Sequence, residues 1–248
     1  QYQIEPIDDV AARVDSIFGQ SYSAGDSPVT SDLTSFGDTY FELGRSYLLK
    51  GRAVGTEGEG AGVTHSSRDF YRNSVSAIER AISLGSDGTP YDYVTRHNLL
   101  GDAMFAAGDR VAANSIFNQL ARMDQDILPS MYLAHKALNA KWDRLTPQYE
   151  EGLRAILSSY EPDGYSLALN QHLGFTLLDS GKFREAARVF EELIGLDEND
   201  RVNASNMVTL AEIYAALDDL SSAQALLRRV SLDYPDTPAS RMAAYKLE

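Results

Sequence analysis

Leu100-Gly101 … Gly108 … Ala113 … Phe117 … Leu120 and Leu173-Gly174 … Gly181 … Ala186 … Phe190 … Leu193 carry the same residue types at the same internal spacings. A third copy reads Leu210-Ala211 … Asp218 … Ala223 … Leu227 … Val230 and is followed by Pro235. Apolar residues three and four apart form one face of a helix, and two such stretches repeated at this period predict a solenoid of helix pairs. In each copy the leucine packs inward from the first helix. The small residue beside it lets the second helix approach, the alanine of that helix answers it, and Phe117, Phe190 or Leu227 fills the space toward the next pair. No pair buries its apolar faces alone, so stacking makes the core.

Upstream, Tyr40, Leu43, Gly44 and Tyr47 open a first repeat whose second helix carries Ser74, Ile78 and Ala81. Gly44 and Ser74 lie 30 apart, whereas Gly101 and Ala113 lie 12 apart, so 18 residues are inserted, roughly 52–69. The insertion holds Gly55, Gly58, Gly60 and Gly62 and too little apolar surface to order itself, which predicts a mobile loop. The expected organisation is an N-terminal helix and linker (1–32), repeat 1 with its insertion (33–90), repeat 2 (91–127), a degenerate repeat 3 (128–164), repeat 4 (165–200), and repeat 5 with a C-terminal helix (201–248). Repeat 3 leaves two registers open. With Ala137 in place of the usual glycine, Trp142 faces the concave side; with Asn139 there, Trp142 takes the aromatic core position of Tyr47 and Tyr214. In residues 5–20, Ile7, Val10, Ala11, Val14, Ile17 and Phe18 recur at helical steps, which suits a helix that caps the first repeat or fills the groove.

The chain has 248 residues, a net charge of −14 and no cysteine. Cysteine-ligated zinc, disulfides and thiol catalysis are thereby excluded. No apolar run approaches the roughly 20 residues that span a bilayer. No Lys/Arg run offers a footprint for a phosphate backbone, so nucleic acid is not an expected partner. His65, His97, His135 and His172 are scattered without metal-ligand spacing, and no metal site is expected. Ser180-Gly181-Lys182 lacks the rest of a phosphate loop, and Asp197-Glu198-Asn199-Asp200 lacks the glycine and distal glutamate of a calcium loop. No nucleophile, acid–base pair or cofactor motif emerges, so the expectation is a protein that is not an enzyme and carries no cofactor.

The landmark residues above resemble the tetratricopeptide repeat, over about four fifths of the chain. The resemblance implies an all-α, right-handed superhelical solenoid of about five antiparallel helix pairs, whose first helices line a concave face that binds a protein or peptide partner. Carried onto this sequence, that face comprises Phe41, Arg45 and Leu48; Asn98, Asp102 and Phe105; Leu138 and Trp142; Gln171, Phe175 and Leu178; and Val208 and Glu212. Apolar anchors among polar groups suit an extended peptide or an amphipathic helix. The two-carboxylate clamp of some family members is not expected, because only Asn98 and Arg45 approach its pattern. Tyr234-Pro235-Asp236-Thr237 ahead of an Ala-rich helix is similar to turns in bacterial envelope proteins with these repeats. With Gln1 standing where a methionine would begin, it leads to the expectation of a scaffold in the periplasm or anchored at the outer membrane through a lipid upstream. A cytosolic adaptor or co-chaperone, a substrate-recruiting region of a larger enzyme and a small-ligand carrier are the alternatives; self-association stays open.

Overall fold

Hydroxyl or carboxylate residues followed by proline or by apolar periodicity start five of the described helices. Thr89 accepts from the Asp92 amide ahead of Pro90, Thr146 from the Tyr149 amide ahead of Pro147, and Thr237 from the Ser240 amide ahead of Pro238. Asp109 and Asp219 do the same for Ala112 and Ser222. The computed structural model describes residues 30–56, 65–85, 88–124, 126–162, 164–196 and 199–247. Among these the chain is wholly helical: α1 (Thr30–Thr56), α2 (His65–Ser83), α3 (Pro90–Ala107), α4 (Arg110–Ala121), α5 (Ser130–Lys141), α6 (Pro147–Ser159), α7 (Ser166–Asp179), α8 (Phe183–Leu193), α9 (Asp200–Ala216), α10 (Leu220–Asp233) and α11 (Pro238–Leu247). The predicted helix over 5–20 lies outside the described residues.

The tight turns after α3, α7 and α9 use a left-handed residue. Gly108 (φ 96°) and Gly181 (φ 72°) supply it, and Asp218 (φ 63°) holds the same place in the third copy. A short polar side chain tolerates this region better than other non-glycine residues, which is why the sequence could replace glycine there. The chain divides into two compact units between Leu128 and Pro129.

In the first unit, Tyr40, Leu43 and Tyr47 of α1 meet Ala77 and Ala81 of α2. Leu48, Tyr71, Ile78, Leu100 and Ala103 form a second cluster that carries α1 and α2 onto α3. A Cβ on Gly44 would stand 2.5 Å from Ile78, and one on Gly101 2.5 Å from Phe117, so both glycines exist for close helix approach. The inserted residues correct the expectation of a loop over 52–69. α1 continues to Thr56 and α2 begins at His65, because Tyr71 packs where a Gly51 side chain would lie and Ser67 is buried beside them. Residues 57–64 lie outside the described ones.

In the second unit, Gly174 of α7 receives Phe190 of α8, and Ala204, Met207, Val208 and Ala211 of α9 pack with Ala223, Leu227 and Val230 of α10 and Ala243 of α11. The register of α5 follows from burial. Val94, Leu100 and Ala103 surround Gly101 at offsets that Ala204, Leu210 and Ile213 repeat around Ala211 and Met131, Ala137 and Ala140 repeat around Leu138. Leu138 therefore holds the glycine's place, and neither expected register, Ala137 or Asn139, is adopted. Small and large have changed sides: Leu138 fills the space opposite Gly152 of α6.

Candidate interaction surfaces

The expected concave-face residues of the first unit fall into three situations. Phe41 is half-buried between the two clusters, with the Arg96 guanidinium 5.8 Å from its ring centre. Leu48 is only 1% exposed and belongs to the core; its phase placed it on the first-helix face, but Tyr71 and Leu100 cover it. Asn98 and Asp102 are half-buried, whereas Arg45 is open and paired loosely with Glu42 at 3.6 Å. Phe105 is the large apolar side chain of that set that reaches solvent, 43% exposed, with Arg110 stacked 6.0 Å from its centre.

In the second unit, Trp142 lies beyond the last turn of α5 in extended conformation (φ −127°, ψ 148°). It is 36% exposed, with Lys141 Nζ 5.5 Å from its ring centre. Leu138 is occupied by Gly152 and is not a surface anchor. Gln171 donates to Asn206 Oδ1 at 2.7 Å and so ties α7 to α9. Phe175 packs edge-on against Phe190 at 5.2 Å, and Leu178 is half-buried. Val208 is 4% exposed, a core residue at the floor of a groove between α9 and α11, and Glu212 at its rim pairs with Lys246 at 2.9 Å. That groove, about 470 Å³, is lined by Arg201, Ser205, Val208, Thr209, Glu212, Pro238, Ala239 and Met242. The sequence pointed to Val208 and Glu212 and missed the α11 side, because which residues of a helix face an adjacent first helix depends on stacking.

The sequence also missed a polar cluster that joins α5, α6 and α7. His135 of α5 is 6% exposed and Tyr149 of α6 is fully buried. Tyr149 Oη lies 2.9 Å from His135 Nε2 and 2.8 Å from His172 Nε2, and it donates to Asn139 Oδ1 at 2.8 Å. Tyr165 Oη stands 3.1 Å from His135 Nδ1. Burial, then the neighbouring His172 and Arg144, lowers the pKa of His135 to about 4. Burial first and Arg144 second lower that of His172, while Asp179 opposes them. Nearby, Glu150 is buried against Lys182 (2.8 Å) and Arg154 (3.2 Å). Burial alone would raise its pKa, but the hydrogen bonds from Lys182 and Arg154 hold it below the usual carboxylate value. Lys182, in the sequence stretch that resembles part of a phosphate loop, is thus a structural ion-pair partner. His97 stacks on Tyr93 at 3.9 Å and bonds the Tyr93 carbonyl at 2.8 Å.

Residues 177–246 match a family model described as tetratricopeptide repeat. The fold is similar to that of a putative kinesin light chain with nearly identical TPR-like repeats from Podosopora anserina, at 17% identity and a TM-score of 0.50, covering 83% of this chain and 95% of that one. A second crystal structure of the same protein gives 17% identity, a TM-score of 0.50, and coverage of 82% and 95%. At this identity the likeness concerns the fold alone. No curated protein matches the sequence.

Proposed function

We propose that this chain is a non-catalytic interaction scaffold that holds a peptide or amphipathic helix on its first-helix faces. The observation that carries the reading is the groove between α9 and α11, where Val208, Pro238, Ala239 and Met242 form an apolar floor and wall and Arg201 and Glu212 a charged rim. An apolar slot with few polar groups suits the anchors of a helix or extended peptide, with the rim setting register. Phe105 in the first unit and Trp142 in the second are exposed rigid anchors with a cation beside each ring, the residue type that carries most interface energy.

The compartment we propose is the bacterial envelope, supported by the Tyr234-Pro235-Asp236-Thr237 turn. In the fold this turn has a local role as well, since Thr237 caps α11 and its amide bonds the Tyr234 carbonyl at 3.2 Å. Fractionation of the source cells tests the location, and recovery in the cytosol favours the cytosolic adaptor.

A cross-linked pull-down tests the function. Wild type is compared with Met242→Asp in the groove, Phe105→Asp in the first unit, and Arg228→Glu on the exposed side of α10 as a control. A partner lost with the groove or Phe105 variant and kept with the control supports the reading. A partner kept by both surface variants and lost with Arg228→Glu moves the site to the second helices and overturns it.

A further inference from the structure

The His135–Tyr149–His172 cluster admits one placement of its protons. Asn139 Nδ2 donates to the His135 carbonyl at 3.0 Å, which fixes the amide orientation and leaves Oδ1 facing Tyr149. An amide oxygen only accepts, so the single hydroxyl proton of Tyr149 goes to Asn139. The Nε2 atoms of His135 and His172 then meet the lone pairs of Tyr149, and both must carry hydrogen. His135 Nδ1 remains an acceptor, and Tyr165 donates to it. Both nitrogens of His135, Nε2 of His172 and the Tyr149 hydroxyl are matched with both imidazoles neutral.

We infer that this cluster is a proton-sensitive lock joining α5 and α6 to α7, closed while both imidazoles are neutral and released when His135 takes a second proton. That proton must enter at Nδ1, where the Tyr165 hydrogen already points, so the hydroxyl has to turn away. The new charge would stand against the His172 ring, whose centre is 4.6 Å from that of His135. The surrounding groups do not compensate it. α5 contributes only cations, Lys136 and Lys141, placed over Tyr132 and Trp142. The loop after α5 brings Arg144, and Asp179 at the end of α7 is paired with that arginine at 3.5 Å. On α6, Glu150 is held by Lys182 and Arg154. The lock matters because α5 buries little bulk: Ala134, Ala137 and Ala140 fill much of its inner face, with Met131 and Leu133. Polar bonds do there what phenylalanines do between α7 and α8. The inference is independent of the groove reading.

The sign follows from the depressed pKa. A neutral buried histidine stabilises the fold fully above the unfolded value near 6.5, and this contribution fades as pH falls toward about 4. Over that range the equilibrium for opening α5–α7 should rise on the order of a hundredfold from His135 alone.

The test uses the full chain with ¹⁵N-labelled histidine, followed by long-range proton–nitrogen spectra between neutral pH and below pH 4, with amide exchange on the same samples. The expected result is Nε2–H tautomers for His135 and His172 at neutral pH. His135 of the closed state should gain its proton only near the bottom of the range, and protection in α5 and α7 should fall progressively from about pH 6.5 toward about 4 relative to α9 and α10 of the same unit. A proton on His135 Nδ1 at neutral pH, titration at its ordinary value, or titration with α5–α7 protection unchanged each overturns the lock. His135→Gln should remove the hundredfold pH-linked component of the unfolding equilibrium; an unchanged pH dependence in a folded variant also overturns it. If that variant does not fold, the wild-type titration decides.

Discussion

Arg96 Nη2 of α3 lies 2.8 Å from Asp38 Oδ1 of α1, an ion pair made by an arginine side chain that is 2% exposed. The same guanidinium bonds Asp92 Oδ1 at 2.7 Å and donates to the Ala81 carbonyl at 2.8 Å at the end of α2. Arginine suits the position because its planar fork serves two carboxylates and a helix C-terminus at once. Arg96→Met removes the cation and leaves the Asp92 carboxylate half-buried, with Oδ2 already lacking a partner. The expected loss is about 3 kcal/mol, the lower end for breaking a buried pair, because Asp38 keeps access to water. Arg96→Lys should recover only part of it. Denaturant unfolding of the three proteins checks both statements.

The close approach of α3 and α4 is a second quantity open to measurement. A Cβ on Gly101 would stand 2.5 and 2.7 Å from Phe117 Cε1 and Cζ, so Gly101→Ala overpacks the pair. Overpacking costs about 1–3 kcal/mol, and the better helix propensity of alanine returns about 1. Gly101→Ala should therefore lose up to about 2 kcal/mol. Phe117→Leu in the same molecule makes room, and the double variant should be more stable than the sum of the single ones by at least about 0.5 kcal/mol. A double-mutant cycle with no coupling would contradict the packing.

The same glycine logic shows how far the fold was legible. Gly101 and Gly174 recur at fixed spacing and predicted the close approach of the second helix, but the sequence set Ala113 and Ala186 against them and turned Phe117 and Phe190 toward the next pair, whereas those rings cover the glycines of their own pair. The third pair hid because Leu138 faces Gly152, which reverses which helix carries the small residue. A search for glycine on first helices passes over it. The surface was legible only in part, since helical phase gives the direction of a side chain and says nothing of what covers it. Tyr71 and Leu100 take Leu48, Asn206 takes Gln171, and Phe190 takes Phe175. The histidine cluster was not legible: its bonded side-chain pairs lie 10 to 30 residues apart, and placing His135 opposite Tyr149 needs the Leu138 register.

Alkaline pH probes Tyr149 from the other side. Burial first, and Tyr165 in the same direction, raise its pKa to about 12, with Arg144 opposing. A raised pKa means the fold favours the protonated phenol. This contribution is fully present below the ordinary value near 10 and is lost as pH rises through about 12. Ultraviolet titration should show a tyrosine fraction that ionises only with unfolding in that window. Tyr149→Phe should remove this component and cost about 1–3 kcal/mol at neutral pH, because Asn139 Oδ1 and two imidazole donors lose their partner.

Phe105 and Phe175 both come from the first-helix face, yet truncation should separate them. Phe105 is 43% exposed, with the Arg110 guanidinium 6.0 Å from its ring centre. An exposed cation–π contact is worth about 0.5–1 kcal/mol, so Phe105→Ala should lose no more than about 1 kcal/mol. Phe175 packs edge-on against Phe190, which is itself fully buried in the space left by Gly174. Its loss removes an aromatic pair as well as apolar burial, about 2–4 kcal/mol together. Weaker partner binding by Phe105→Ala at unchanged stability would therefore report recognition, whereas the same result with Phe175→Ala would report loosening of α7 on α8. Thermal unfolding of both variants beside a direct binding titration makes the distinction, and equal destabilisation by the two would show that Phe105 is a packing residue of the first unit.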